Sequence, residues 1–470
     1  MSTPLHFQSV AEIAPQIESG ALSPIELTDY MLERIAEHDG RLRAYVRVLE
    51  RSARADAEKA AKEISAGRYR GPLHGVPVAV KDLCDIEGLP TLAGCAVREG
   101  HVAQATSTVV ERLAAAGAVM LGKLNLTEGA MAGYNPKFAV PENPWKESHW
   151  SGASSSGSGA ATAAGLAFAT LGSDTGGSIR HPAAACGTVG LKPTWGAVSR
   201  YGVADLAQSL DHVGPLTRAS QDAAFVHQAI AGRDEHDPTS APTTHAAIQW
   251  SPEPGRPLCG LRVGWDEAYA SVDLAPDFAA AMADAARDLQ RLGATLVDVK
   301  MPTRLREYMA AWQVLCSSEA AHAHQANYPS RAEEYGPWFR EWLRRGVAYT
   351  SRDYADANML RLECVGDIAA VMSACDVLAC PSTPREAYPV MPEISYGPIP
   401  ATRDPWDSRF TVPTDYAGLP TLALPCGLSN NGLPLSFQLV GHRFTELSLC
   451  EIGNIFERAT SWRMLHPPGW

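Results

Sequence analysis

Two clusters of serine and glycine, at positions 154–159 and 172–178, hold residues whose types and spacing could do chemistry. In the second cluster, the run TGGS at positions 175–178 ends on a serine that follows two glycines. Glycine reaches backbone angles that other residues avoid, so several N–H groups of this run can converge on one point. Converging N–H donors stabilise a developing oxyanion, and a serine beside them is a candidate nucleophile. The pattern predicts a site with Ser178 as nucleophile and an oxyanion hole formed by Thr175, Gly176, Gly177 and Ser178.

A serine nucleophile needs a base, and Lys81 is the candidate. It follows the apolar run GVPVAV at positions 75–80, which is typical of a strand buried on both faces. Burial disfavours the charged form of a lysine and lowers its pKa, so that the neutral amine can take a proton. A lysine at this place could instead extend its ammonium group to the surface or pair with Asp82. Because the serine clusters favour the catalytic interpretation, we expect a hydrolase of amide bonds.

The Ser/Gly stretch also has two other interpretations, a flexible linker and a phosphate-binding loop. Against a linker, an alanine-rich helix is predicted at 160–169 and a second glycine cluster follows it. Residues 157–162 resemble a dinucleotide-binding fingerprint, but no strand-like segment precedes them and no P-loop lysine follows. Neither serine cluster carries the G-x-S-x-G motif of α/β-hydrolases.

The composition is that of a globular protein without a nucleic-acid or membrane partner. Of 470 residues, 46% are hydrophobic, the formal net charge is −12, and Lys and Arg form no cluster that could release counterions. Ten cysteines are scattered without a CxxC pair, and the first ten residues lack the pattern of a secretory signal. The longest apolar stretch, 160–171, is too short to span a bilayer. We therefore expect a cytoplasmic protein with reduced cysteines.

The elements that must position these residues alternate between strand and helix patterns. The predicted strands lie at 75–80, 118–122, 261–265, 294–299, 376–381, 421–426 and 435–440, and helices are predicted at 107–116 and 275–292. Residues 304–372 are helical by their periodicity and rich in aromatic residues. This alternation is typical of a parallel or mixed sheet with helices outside it. The sequence thus predicts an α/β fold with a large mixed central β-sheet flanked by helices.

Three segments together resemble the signature of the amidase signature family. They are GASSSGS at 152–158, GSDTGGSIRHPAA at 172–184 and GLKPTWG at 190–196. The resemblance extends from GVPVAVKD at 75–82 to AGLPTLALPCG at 417–427, nearly the whole chain. It implies one amidase domain over residues 1–470, with a signature core at about 70–220 and a variable helical region at about 300–375. It also implies an enzyme without cofactor or metal that acts as a homodimer on a small-molecule amide.

Members of this family use a Ser–cis-Ser–Lys triad, and each member of the triad has a matching position here. Lys81 matches the lysine that ends the apolar strand, Ser154 the bridging serine on a cis peptide, and Ser178 the nucleophile. The two serines are 24 residues apart, which is the usual spacing in the family. Two positions depart from the pattern: Ala153 stands where a second glycine is usual, and Leu83 where a polar residue is common.

Residues beside the nucleophile offer other roles. His181, three residues after Ser178, could replace Lys81 as the base, although a histidine so close in sequence is more typical of a structural or pocket residue. Asp174 and Arg180 flank the loop, and we expect them to hold it through hydrogen bonds and an ion pair.

A metal site would have to use residues far from this signature. Glu319, His322 and His324 are the candidates. Side chains two residues apart do not share a helix face, so only the first two could meet, and two ligands do not make a site. We expect no metal.

Three functions from different classes fit the chain: a stand-alone amidase, the glutaminase subunit of a tRNA-dependent amidotransferase, and a catalytically silent binding protein. All three triad residues are present, which disfavours the last. The aromatic helical region favours a hydrophobic or aryl substrate over glutamine, so we expect a hydrolase of linear amides other than peptide bonds. We predict that some of five aromatic residues line its pocket: Tyr308, Trp312, Trp338, Phe339 and Trp342.

Overall fold

One mixed β-sheet connects the two halves of the chain. The computed structural model describes residues 3–242, 244–401 and 404–470. In this part the strands are β1 (Tyr45–Val48), β2 (Pro77–Lys81), β3 (Val119–Leu124), β4 (Ala169–Asp174), β5 (Val189–Lys192), β6 (His212–Thr217), β7 (Arg262–Trp265), β8 (Thr295–Asp298), β9 (Val377–Pro381), β10 (Thr421–Leu428) and β11 (Pro434–Gly441). Their order across the sheet is β1-β3-β2-β4-β6-β5-β10-β11-β9-β7-β8.

Strand directions make the sheet mixed. The neighbours β3, β2 and β4 run parallel, as do β8, β7 and β9. The pairs that join these two groups through β6, β5, β10 and β11 are antiparallel. The predicted large mixed sheet of an α/β fold is confirmed.

Helices also form in the described residues, and several of them pack against the sheet while others pack on neighbouring helices. They are α1 (Val10–Glu18), α2 (Pro24–Leu42), α3 (Glu50–Ser65), α4 (Thr108–Ala115), α5 (Ser156–Ala163), α6 (Arg180–Cys186), α7 (Ser220–Ile230), α8 (Glu267–Ser271), α9 (Pro276–Arg291), α10 (Leu305–Ala323), α11 (Pro337–Ala348), α12 (Ser351–Met372), α13 (Pro392–Ser395), α14 (Val412–Tyr416) and α15 (Glu446–Ala459). The predicted helices at 107–116 and 275–292 correspond to α4 and α9, and the helical region at 304–372 forms α10, α11 and α12.

The parallel pair β2 and β4 brings the two chemically important segments together. Val80 of β2 is in register with Leu171 of β4, so Lys81 at the end of β2 lies beside the end of β4. The carboxyl ends of parallel strands meet at one edge of a sheet. The run at 175–178 begins where β4 ends, so it starts at the same edge of the sheet as Lys81.

The alanine-rich helix differs from its predicted bounds of 160–169. It begins at Ser156, inside the first serine cluster, and ends at Ala163. Gly165 then takes a positive φ of 68°, the left-handed conformation that commonly terminates a helix. The remaining apolar residues lead into β4, which starts at Ala169. The short helix thus lies directly between the two serine clusters.

The cysteines form no disulfide bonds. All ten cysteines are free thiols, and nine of them are buried. Within the described ranges, no helix is both long and apolar enough to cross a membrane.

Candidate active site

Lys81 contacts three serine hydroxyls at the carboxyl end of β2. The residue is only 1% exposed, and its Nζ lies 2.7 Å from Ser154 Oγ, 2.9 Å from Ser155 Oγ and 2.9 Å from Ser173 Oγ. Ser173 belongs to β4, whereas the other two serines precede α5. The alternative in which Lys81 extends its ammonium group to the surface is therefore wrong.

The alternative pairing of Lys81 with Asp82 is also wrong. Asp82 Oδ1 lies 2.7 Å from Nζ of Lys123, a residue of β3. Successive side chains of an extended chain point to opposite sides, so Lys81 and its neighbour face different environments. Lys123 satisfies the carboxylate, and Lys81 is left among hydroxyl groups.

The environment of Lys81 favours its neutral form. Burial lowers the pKa of the amine to about 7, although the negative charges of Asp211 and Asp174 act in the opposite direction. Near neutral pH a large fraction of Lys81 is thus an uncharged amine with a free lone pair. Such an amine can donate hydrogen bonds to two of its three hydroxyl neighbours and accept a proton from the third.

The serine segment takes an unusual backbone path before α5. The peptide bond between Ala153 and Ser154 is cis, and Gly152 has a positive φ of 91° whereas Ala153 does not. The methyl group of Ala153, which departs from the family's glycine, is therefore accommodated without left-handed backbone. Ser155 N donates to Ser178 O over 3.3 Å, so the segment that carries Ser154 lies against the predicted nucleophile.

Asp174 holds the loop at 175–178, called here the nucleophile loop after the predicted nucleophile Ser178, as expected. Its Oδ1 accepts from Gly177 N at 2.6 Å, and its Oδ2 accepts from Ile179 N at 3.0 Å. Arg180 binds the same carboxylate through Nε at 3.0 Å and Nη2 at 2.9 Å. Burial opposes ionisation, but the Arg180 guanidinium keeps the pKa of Asp174 well below its usual value. The loop is thus fixed by a fully buried ion pair, and the expected role of both residues is confirmed.

The N–H groups of the loop fall into two pairs. Gly176 N also donates to Asp174, at 3.2 Å, so both glycine N–H groups face the carboxylate beneath the loop. The N–H groups of Thr175 and Ser178 donate to none of the described residues. The four-residue oxyanion hole stays a prediction. Within it, the N–H groups of Thr175 and Ser178 are available to an oxyanion, whereas those of Gly176 and Gly177 already donate to Asp174.

Two close neighbours explain why positions 176 and 177 of the loop are glycines. A Cβ on Gly176 would lie 2.8 Å from the indole of Trp312. Gly177 has a φ of 134°, and a Cβ there would lie 2.4 Å from the ring of His181. Only glycine combines that backbone angle with such a close approach.

The loop opens into a cavity of about 500 Å³. Ser178, Thr175 and Gly176 line its floor together with Ala153. Its walls combine two kinds of side chain. The apolar and aromatic ones include Met131, Tyr134, Trp150, Leu206, Trp312, Trp338, Pro384, Tyr388, Val390 and Ile394, and the polar ones include Thr127, Ser151, His181, Thr383, Arg385, Ser395, Asp407 and Ser408. A cavity of this size that carries a few polar groups at its floor is typical of a small-molecule site.

The five aromatic residues predicted for the pocket divide into two groups. Trp312 and Trp338 line the cavity. Tyr308, Phe339 and Trp342 do not line it and are buried in the hydrophobic core around α10 and α11. Helical periodicity alone did not separate the two groups because both kinds of residue face inwards.

Several pocket residues were missed by the sequence analysis. The rings of Trp150 and Tyr388 stack at 5.2 Å between centroids, and Arg385 and Asp407 form an ion pair at the cavity wall. Trp150 stands two residues before the signature segment, which is a signal that could have been used. The others lie far along the chain, where no local pattern connects them to Ser178.

His181, the alternative base, and the metal-site candidates Glu319 and His324 make contacts within the protein. His181 lines the cavity, and its N donates to Gly177 O at 2.7 Å, so it is a pocket residue. Glu319 accepts from Ser209 and Tyr354, and His324 contacts the hydroxyl of Tyr335 at 2.9 Å. The described residues contain no cluster of three or more His, Cys, Asp or Glu that could hold a metal ion.

Comparisons with known proteins show the family of the chain. A model of the Amidase family matches residues 26–450. The chain is 39% identical to "Putative amidase AmiD" of Mycobacterium tuberculosis, over 98% of this chain and 95% of that protein. It is 36% identical to a glutamyl-tRNA(Gln) amidotransferase subunit of Chloroflexus aurantiacus, over 99% of both chains.

A solved structure shows the same architecture. The peptide amidase of Stenotrophomonas maltophilia superposes with a TM-score of 0.82 at 30% identity, over 98% of each chain. Together with the family match, this similarity covers nearly all of the sequence. The chain belongs to the Amidase family, the amidase signature enzymes.

Proposed function

We propose that this chain is an amidase that hydrolyses a linear, non-peptide amide of a small molecule through an acyl-enzyme on Ser178. The observation that carries the proposal is the buried amine of Lys81, 2.7 Å from Ser154 Oγ, beneath a cavity that Ser178 lines. With a pKa lowered to about 7 by burial, this amine can act as a base near neutral pH.

The proposed reaction uses these three residues in turn. Ser178 Oγ attacks the amide carbonyl while its proton passes through the hydroxyl of Ser154 to Lys81. Backbone N–H groups of the loop at 175–178 hold the oxyanion, and each such donor contributes about 3 kcal/mol to transition-state stabilisation. The proton then returns to the leaving nitrogen, and water hydrolyses the acyl-enzyme by the same path.

The cavity walls support a bulky apolar or aryl substrate. Trp150, Trp312, Trp338 and Tyr388 present aromatic surface around the floor, and the charged side chains of Arg385 and Asp407 are paired with each other. An unpaired charge would be needed to offset the desolvation of a strongly charged substrate. We therefore propose hydrophobic and aryl amides, rather than glutamine, as the preferred substrates.

The second candidate is a glutaminase subunit of a tRNA-dependent amidotransferase. It is favoured by the similarity to an amidotransferase subunit over 99% of the chain. Hydrolysis of aryl amides by the purified chain, with glutamine turned over far more slowly, supports the stand-alone amidase. The reverse preference, or activity that appears only with a partner protein, supports the amidotransferase.

Trapping the intermediate tests the assignment of the nucleophile. Mixing enzyme with an activated aryl ester near neutral pH and quenching with acid within seconds should give a mass increase equal to the acyl group, located by digestion on the peptide with Ser178. Ser178→Ala should show neither the mass increase nor turnover, with an unchanged melting temperature. An acylated S178A protein would contradict the proposal.

Location and assembly are further parts of the proposal. We expect a cytoplasmic enzyme that forms a homodimer and consists of one amidase domain over residues 1–470, and neither a nucleic acid nor a membrane as partner. Sedimentation velocity of the full chain would give the oligomeric state.

A further inference from the structure

Thr175, the first residue of the nucleophile loop, is held from two sides by distant residues. Its Oγ1 donates to Asp211 Oδ1 at 2.6 Å, and its carbonyl accepts from Trp312 Nε1 at 2.8 Å. Its N–H, by contrast, donates to none of the described residues. The side chain and carbonyl are thus fixed in the protein, and the N–H stays available at the cavity floor.

Asp211 is a buried carboxyl without an ionic partner among the described residues. Besides Thr175, it accepts from Leu206 N at 2.9 Å and from Ala207 N at 3.1 Å. Its residue is 8% exposed, and burial raises the pKa of the carboxyl to about 7. Burying a carboxyl without an ionic partner costs folding free energy, and such groups are concentrated at functional sites.

The charges around Asp211 and Lys81 single out this carboxyl. Lys81 Nζ lies 2.9 Å from Ser173 Oγ, and Ser173 and Asp211 line the same small cavity. Of the other titratable groups near Lys81, Asp174 is already neutralised by Arg180, and burial raises the pKa of the Cys84 thiol to about 12, so that it carries no charge. Asp211 itself is faced by the charged side chains of Asp205 and Arg200 on its own loop, by Lys81 of β2 and by the Cys316 thiol of α10. Asp211 is therefore the unpaired carboxyl that acts on the base.

We propose that Asp211 is a positioning residue of this active site, which directs the N–H of Thr175 at the oxyanion and stabilises the ammonium that Lys81 becomes during the reaction. In serine hydrolases that use histidine, a carboxylate hydrogen-bonded to the base supports its cation, whereas Asp211 acts on Lys81 without a direct hydrogen bond. Here Thr175 stands between the carboxylate and the cavity floor, so the negative charge does not meet the developing oxyanion directly. The inference rests on the proposed Ser178–Ser154–Lys81 mechanism.

Two substitutions test separately the charge of Asp211 and its hydrogen bond to the Thr175 hydroxyl. Asp211→Asn keeps the shape and removes the charge, and the amide can still hydrogen bond to the Thr175 hydroxyl. Thr175→Val removes the hydroxyl and leaves the carboxyl in place. Asp205→Asn is the matched control, since it removes a carboxyl from the same loop that has no hydrogen bond to the nucleophile loop.

The readouts are kcat, KM and the pH dependence of kcat/KM on an aryl amide. D211N should lower kcat by about tenfold or more with KM within about threefold, because the lost interaction acts mainly in the transition state. Loss of a negative charge beside Lys81 should move the acid limb of kcat/KM to lower pH by about half a unit or more. T175V should also lower kcat, and D211N/T175V should fall short of the product of the two single effects. D205N should match the wild type in kcat and pH profile.

An acid limb of D211N that coincides with the wild type would overturn the inference, as would T175V with wild-type kcat. A purely structural role would lower the melting temperature and the active fraction without moving the pH limb. If D211N does not fold, the kcat and KM of T175V still decide whether the Thr175 hydroxyl matters. If the proposed mechanism itself is wrong, S178A remains active. If only the inference about Asp211 is wrong, S178A is still inactive.

Discussion

The indole N–H of Trp312 donates a 2.8 Å hydrogen bond to the backbone carbonyl of Thr175. Trp312 belongs to α10, far along the chain, whereas Thr175 begins the loop at 175–178. The same indole packs against Gly176 and lines the cavity. One side chain of the helical region therefore lines the cavity and supports the loop that carries the predicted nucleophile.

Replacement of Trp312 by phenylalanine should weaken catalysis. The variant keeps an aromatic ring against Gly176 but loses the hydrogen bond to Thr175, a contact worth about 1 kcal/mol. We expect kcat to fall by about fivefold or more while the melting temperature changes by only a few degrees. Trp342→Phe, a core residue of α11 outside the cavity, is the control and should leave kcat close to that of the wild type. Equal kcat values for W312F and the wild type would show that the hydrogen bond does not support the loop.

The proton relay should act as one unit. Lys81→Ala and Ser154→Ala should each lower kcat by about 10³-fold or more, and the double variant should be little worse than the less active single variant. The reason is that Ser154 has no function as a proton carrier once its acceptor at 2.7 Å is gone. Steady-state kinetics of the three variants test this prediction. Effects that multiply in the double variant would mean that the two residues act independently.

The pH–rate profile should report the buried amine. Lys81 must be uncharged to take a proton, and burial lowers its pKa to about 7, so kcat/KM should rise as the pH increases through about 7. Below that pH the ammonium form predominates and activity falls. Initial rates between about pH 5 and 9 on an uncharged amide, so that the substrate does not titrate, provide the measurement. A profile that still rises tenfold per pH unit at pH 9 without levelling off, as a base with the usual lysine pKa of about 10.4 would give, would exclude a Lys81 that is neutral near pH 7.

Two adjacent residues of α11 should respond differently to truncation. Trp338 lines the cavity, so W338A should change the ratio of kcat/KM for bulky and small amides by roughly 1–3 kcal/mol. Phe339 is fully buried in the core, so F339A should cost about 3–5 kcal/mol of unfolding free energy and affect all substrates alike. Chemical denaturation and kinetics on two amides distinguish the outcomes. A uniform loss with W338A would place the specificity pocket elsewhere.

Local chemistry allowed much of the site to be predicted from the sequence. The apolar run before Lys81 predicts a buried strand because only a fully covered strand lacks polar alternation. The glycines at 176 and 177 indicate a loop whose N–H groups can converge, since other residues would not adopt its backbone angles. Both features depend on residues close together in the chain, and the structure places them side by side because β2 and β4 are parallel neighbours.

Contacts between distant segments were decided only by the tertiary structure. Thr175 meets Asp211 across 36 residues and Trp312 across 137, so no spacing in the sequence connects them. Likewise, Lys123 rather than Lys81 neutralises Asp82, because strand register selects the partner of a carboxylate. The sequence by itself determined which residues could do chemistry, whereas the packing of strands and helices decided which N–H groups stay available, which aromatic rings reach the cavity and which carboxyl lies unpaired beside the base.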